Sequence, residues 1–380
     1  MKKHLVLTLS VIIVGLMGYL FTTSVVHNDT AVAAKPTYTG TVYIAGHGGH
    51  FAKSDVVIDP NSPDTPLKVA NLDRVEIGTS KTHPMHDVRI DAGNKNTAFY
   101  STYIADPDGK MHWGKVDLAS GKVVKDVAVT PDQRAPGKKP PLYCASGQSK
   151  AYYMPVFMGT EGYVDVIDKK TMEAKHRVFV SDLGYKPGTY KFVHGTNSPD
   201  MKKFLIALNQ AADGKGTGKI DFVLVDLPTL EKGKFKELAR TTLSGEPDKT
   251  ITFRQFFSKD SKFIYQSAGD RLWVLDAATL KLVDEKMIPD GGQLHDAIPT
   301  PDNKYAILTV RTLAPSCGED GMPITGEKAK DITDGTLLLY DADAKKLSGK
   351  NVSICQACHK GVGLGDKSAI LCGIDGNWKM

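Results

Sequence analysis

Cys355, Cys358 and His359 stand in the order Cys355-Gln356-Ala357-Cys358-His359. Thiols two residues apart can each add across one vinyl group of a porphyrin. A histidine beside the second thiol can then reach the iron as an axial ligand, which is the attachment pattern of a c-type haem. The competing readings are a loop disulfide beside a bystander histidine, and a zinc site. The zinc reading lacks a second Cys-x-x-Cys pair anywhere in the chain. The expectation is one covalent haem c, with His359 on the iron and His47 or His50 as candidates for the sixth position. Met322, Met380 and His83 compete for that position, and an open position would imply small-ligand chemistry. Axial identity is a main lever on haem potential.

Three more histidines have matched spacing. His86, His194 and His295 each lie nine residues before a turn lysine: Lys95, Lys203 and Lys304. At the same count the other repeats have Pro141, Phe253 and Ile370. Three histidines converging on one axis could hold copper, iron or zinc, or an anionic or haem-like ligand. The plainer reading is structural, since His86 and His295 each precede an aspartate that could tie the ring to a turn. The remaining cysteines are Cys144, Cys317 and Cys372. A Cys317–Cys372 disulfide would brace the haem loop, and Cys144 reads as a buried packing residue. There is no Gly-x-Ser-x-Gly elbow, no phosphate-cradling loop and no His-Glu-x-x-His.

The elements that must position these residues form a repeat. A short apolar strand ending in aspartate recurs at Asp59, Asp117, Asp168, Asp226, Asp276 and Asp341, at intervals of about 50 to 65 residues. Upstream of each lies a turn and another apolar strand, as in Ser198-Pro199-Asp200, Ser258-Lys259-Asp260 and 145–150. No amphipathic helix of useful length is visible. Four strands per repeat predict an all-β chain, a single β-propeller of six blades, or seven if one repeat is degenerate. The first repeat lacks an innermost strand, and 369–379 resembles the inner strand and turn at 88–95, so the chain end is expected to close the ring. One face then collects the haem loop at about 353–369, the 311–335 insert, the 46–50 loop, the 83–86 approach, the 103–112 loop and the 210–219 loop. Long loops gathered on one face are where binding sites are built.

The turn Thr300-Pro301-Asp302-Asn303-Lys304 with its following strand, and the strand Val57-Ile58-Asp59, resemble the YVTN-type propellers, over about residues 41–350. That superfamily includes the haem-d1 domain of cytochrome nitrite reductases. The resemblance implies a propeller scaffold. Those reductases carry haem c in a separate N-terminal domain, whereas here it is expected between the last blade and the closing strand.

Lys2 and Lys3, the apolar run from Leu5 to Phe21 and Ala31-Val32-Ala33 read as a secretory signal peptide over 1–34, followed by a propeller over 35–380. An uncleaved anchor is the alternative. The expected place is the periplasm or another exported location in a bacterium, with no membrane span after cleavage. A net charge of +5 is too mild to argue for nucleic acid. The functional expectation is an exported monohaem c-type cytochrome, transferring electrons in a periplasmic oxidoreductase system with a redox partner protein. A second metal or substrate site would lie at the channel mouth. The alternative is a propeller subunit of a larger complex, amine dehydrogenase-like or hydrazine synthase-like, whose catalytic centre lies in another chain. A third reading is a binding propeller whose haem only braces the closure. Whether the chain is itself an enzyme is left open by the sequence.

Overall fold

Each recurring aspartate folds its own turn. Asp59 accepts hydrogen bonds from Asn61 N–H and Ser62 Oγ, Asp117 from Ser120 N–H and Asp168 from Thr171 N–H. Asp226, Asp276 and Asp341 accept in the same way from the N–H groups of Thr229, Thr279 and Ala344. A short carboxylate reaching the backbone two or three residues on is the reason aspartate marks turns. A second turn recurs between the first two strands of a repeat. Ser198, Ser258 and Thr300 each donate N–H to the carbonyl of the residue five positions on, and each hydroxyl caps that residue's N–H. Three residues into each turn the backbone is left-handed, at Met201, Ser261 and Asn303.

These turns link twenty-four strands into six antiparallel sheets of four in the computed structural model, which describes residues 35–135, 142–159, 161–313, 333–354 and 371–379. The expected six-bladed propeller is the observed fold. Blade 1 is Leu371–Lys379 followed outward by the three strands between Tyr38 and Glu76. Blade 2 spans Met85 to Val129, blade 3 Tyr143 to Phe179 and blade 4 Tyr190 to Ser244. Blade 5 spans Gln255 to Met287 and blade 6 Gln293 to Ser353. Among the described residues the helices are single turns, such as Leu227–Leu230, and none is long and apolar enough to cross a membrane. In blade 3 the residues 145–148, read from sequence as a turn, are strand. The turn there closes sooner, with Ser149 N–H donating to Tyr152 O.

Leu371–Lys379 pairs antiparallel with Tyr38–Gly46, so the closing strand lies where the repeat pattern puts it. Period-two alternation then serves two interfaces at once. Val42 and Ile44 pack with Ile298, Ile307 and Leu339 of blade 6, while Tyr43 and Ala45 pack with Met85, Val88 and Tyr100 of blade 2. A blade buried on both faces needs apolar residues at both phases, which explains the near-continuous runs such as 305–310.

Candidate functional site

The inner strands open the site with a defect. In blades 2, 3 and 6 the pairing with the second strand slips between Met85 and Asp87, between Tyr143 and Ala145, and between Leu294 and Asp296. Each slip is a β-bulge whose extra residue is His86, Cys144 or His295. A bulge frees one side chain from the strand's alternation and re-aims it, here into the channel near one mouth. His86 Nδ1 lies 3.0 Å from Cys144 Sγ, and His295 Nε2 lies 3.5 Å from it. The three donors fall within 4.8 Å of one another, and all three residues are buried. The far ring nitrogens, His86 Nε2 and His295 Nδ1, have no hydrogen-bond partner among the described residues. His295 Nδ1 faces Asp296 Oδ1 at 3.6 Å.

The residues after the two bulged histidines build the floor. Arg254, fully buried, sits between Asp87 and Asp296 at 2.8 Å from each. It also donates to Val88 O, and its backbone N–H donates to His295 O. Asp296 accepts from Ile374 N–H of the closing strand. Blades 1, 2, 5 and 6 are thereby tied across the axis. A Cβ on Gly373 would lie 2.1 Å from Arg254 Nη1 and 2.6 Å from His86 O, so glycine is required for the closing strand to approach. Burial pushes the Asp296 carboxyl up to about 7, against the pull of Arg254.

Aromatic rings flank the cluster at the mouth. His47 stacks on His86 at 4.4 Å between centroids and on Tyr103 at 5.0 Å, and His86 stacks on Tyr103 at 3.9 Å. Phe253, which the lysine count set in register with the histidines, packs on His295 at 4.8 Å. Burial lowers the imidazoles of His86 and His295 well below their ordinary value, and brings His47, His50 and His194 down to about 3. All five are neutral near pH 7.

The structure therefore brings together two of the three spaced histidines. His194 is buried and packs towards Phe253, and it is not in the donor set. Cys144, buried as expected, stands in that place in the donor set. Counting back from Lys150 missed it because the blade 3 turn at 149–151 is shorter than those of blades 4, 5 and 6, so the count arrived at Pro141. His50 is fully buried against Gly46 at the start of its strand. Cys317, Met322, Cys355, Cys358, His359 and Met380 lie outside the described residues, as do the 1–34 segment, the side chain of Cys372 and most of the 311–335 and 353–369 loops.

His83, named as a competitor for the sixth haem position, lies with His112, Asp126 and Asp106. His112 Nδ1 lies 2.8 Å from Asp126 and its Nε2 3.0 Å from Asp106, while His83 Nε2 lies 3.4 Å from Asp126. The hydrogen bond to Asp126 outweighs burial and raises the His112 pKa. Burial alone would raise Asp126, but hydrogen bonds from His112, His83 and Tyr100 outweigh it and hold the carboxyl below its usual range. Both His112 nitrogens face carboxylates, so the ring is clamped between Asp126 and Asp106. At the far ends of the inner strands a separate cleft of about 430 Å³ is lined by Arg89, Asp91, Gln148, Asn197, Phe256 and Trp378.

No protein-family model matches the chain, and no curated protein matches it in sequence. Similar solved structures include a chain of hydrazine synthase from Kuenenia stuttgartiensis, at 16% identity and TM-score 0.44 over 71% of this chain. This chain spans 65% of the length of that one. A chain of a nidogen–laminin complex matches at 9% identity and TM-score 0.50, over 89% of this chain and 97% of that one. The β-propeller domain of Cps50 (Swd1) from Myceliophteria thermophila matches at 12% identity and TM-score 0.40, over 70% and 86% of the two chains. The nidogen–laminin likeness, which spans most of both chains, is one of fold.

Proposed function

We propose that the chain is an exported c-type cytochrome, a six-bladed propeller that carries one covalent haem beside its channel mouth and exchanges electrons with a partner protein in a periplasmic oxidoreductase system. The observation that carries this reading is Cys355-Gln356-Ala357-Cys358-His359, in the stretch between the outer strand of blade 6, ending at Ser353, and the closing strand, beginning at Leu371. Leu371 pairs with Gly46, so that stretch returns to the ring beside the 47–49 turn and the bulged residues.

A bound haem supplies one-electron chemistry at iron, while the protein sets ligation and access. Cys355 and Cys358 would provide the thioethers and His359 an axial imidazole. For the other axial position His47 is favoured over His50. Both rings have unpartnered nitrogens among the described residues and are neutral donors at ordinary pH, with pKa values of about 3, but only the His47 ring lies at the mouth. His50 is packed inside blade 1.

The test is export alongside a haem-attachment system, followed by a reduced-minus-oxidised spectrum and denaturing electrophoresis stained for haem. The expected product has a low-spin c-type spectrum that migrates with the chain and is lost in Cys355→Ala/Cys358→Ala. His47→Ala is expected to open the iron to carbon monoxide. A chain recovered folded and without covalent haem would sink the proposal. Haem-loaded protein that is reducible only in a larger assembly would favour the subunit reading.

A further inference from the structure

We propose that His86, Cys144 and His295 form a binding site for a single copper ion inside the propeller channel. The inference stands apart from the haem, because its three donors lie on three inner strands and none belongs to the haem pentapeptide.

The geometry carries it. Metal–sulfur bonds of about 2.3 Å and metal–nitrogen bonds of about 2.0 Å, at angles of about 110–120°, set sulfur–nitrogen separations of about 3.5–3.7 Å. Cys144 Sγ lies 3.0 Å and 3.5 Å from the two imidazole nitrogens. The His295 separation already fits, and the His86 separation would have to open by about half an ångström, within the reach of a rotamer adjustment, to seat an ion. Such convergence is not what three repeats give by default. It needs a bulge at the same place in blades 2, 3 and 6.

The surroundings match a metal centre more closely than a packing cluster. The unpartnered second nitrogen of His295 lies 3.6 Å from Asp296 Oδ1, so a small ring rotation would bring an outer carboxylate into reach to orient a ligating imidazole. The stacked rings of His47 and Tyr103 over His86, and Phe253 against His295, fix the ring planes. Two imidazoles and one thiolate make a set suited to copper. Structural zinc asks for four protein ligands, and the described residues bring three together.

The experiment uses the full haem-loaded chain, stripped with a chelator, given copper sulfate or zinc sulfate, and passed through a desalting column. Metal per chain is counted by mass spectrometry, and copper is read by electron paramagnetic resonance. The expected result is about one copper per chain with the narrowed hyperfine splitting of a thiolate-bound Cu(II) ion. Cys144→Ser should weaken retention by more than about tenfold and abolish that splitting, while His194→Gln keeps both. Three results would overturn the proposal: retention of zinc in preference to copper, an ordinary nitrogen–oxygen copper spectrum in the wild type, or Cys144 found in a disulfide with Cys317 or Cys372. The wild-type spectrum decides the matter even if Cys144→Ser fails to fold. Failure to find haem would leave the copper count untouched.

Discussion

Arg254 shows how much the channel floor depends on single side chains. Its guanidinium is wholly desolvated and answers two carboxylates that are equally buried. Removing the cation alone leaves Asp87 and Asp296 facing each other without it, so Arg254→Met should cost about 3–5 kcal/mol by denaturant unfolding. Gly373→Ala should destabilise by at least about 1–3 kcal/mol, because the methyl group meets Arg254 and the His86 carbonyl rather than open space. The buried histidines add a pH dependence. His50 and His194 have folded pKa values of about 3 against an ordinary 6.5, so the unfolded chain takes up their protons first. Their contribution is complete above about pH 6.5 and falls as pH drops towards 3, by up to about 1.4 kcal/mol per unit for each. His112 has the opposite sign: its raised pKa gives stability that is complete below its ordinary value and fades as pH rises through the folded value. Urea midpoints measured from pH 7 to pH 4 should fall, and His194→Phe should flatten the fall. Cys144 was the residue the sequence concealed. His86 and His295 follow a countable spacing to a turn lysine, but the blade 3 turn at 149–151 puts its lysine closer to Cys144.

At the scale of the element, the recurring turns were readable because their mechanism is local. An aspartate that bonds to its own following N–H groups needs no tertiary context, and all six do so. The bulges were not readable, because a bulge is a property of two strands in register and one strand's residues do not announce it. The same turns offer a stability test. Ser261 and Asn303 occupy the same left-handed position, with φ of 60° and 63°. Asparagine tolerates that region better than serine, and the Asn303 side chain also accepts from Lys259 N–H of the neighbouring blade. Ser261→Asn is expected to raise the thermal midpoint, by the equivalent of about 0.5–1 kcal/mol, and Ser261→Val to lower it. The 83–112–126 clamp was likewise hidden, since it joins a loop, a third strand and an outer strand of blade 2 that no periodic pattern links.

For the whole molecule, the number of blades and the closing strand were legible as repetition with one missing member. What closes the ring is the pairing of Leu371–Lys379 with Tyr38–Gly46, reinforced by the apolar contact of blade 1 with blade 6. A chain ending at residue 370 would lose both that pairing and the closing-strand partners of Asp296 and Ile90, which are Ile374 N–H and the Asp375 carboxylate. It should elute from gel filtration as aggregate, with sharply reduced resistance to protease. Full-length chain under the same conditions should elute as a compact species.

Because the first and last strands are partners, the order of synthesis matters. Residues 38–46 are made more than 300 residues ahead of their mate at 371–379. Until that mate arrives, the edge of Tyr38–Gly46 that will face the channel is unpaired, a template for any other extended chain it meets. Blades 2 to 5 can each assemble in turn, but the ring cannot shut until residues 371–379 are free. The early strand must stay apart from its neighbours for as long, and the stretch bearing Cys355, Cys358 and His359 becomes available just before the ring locks.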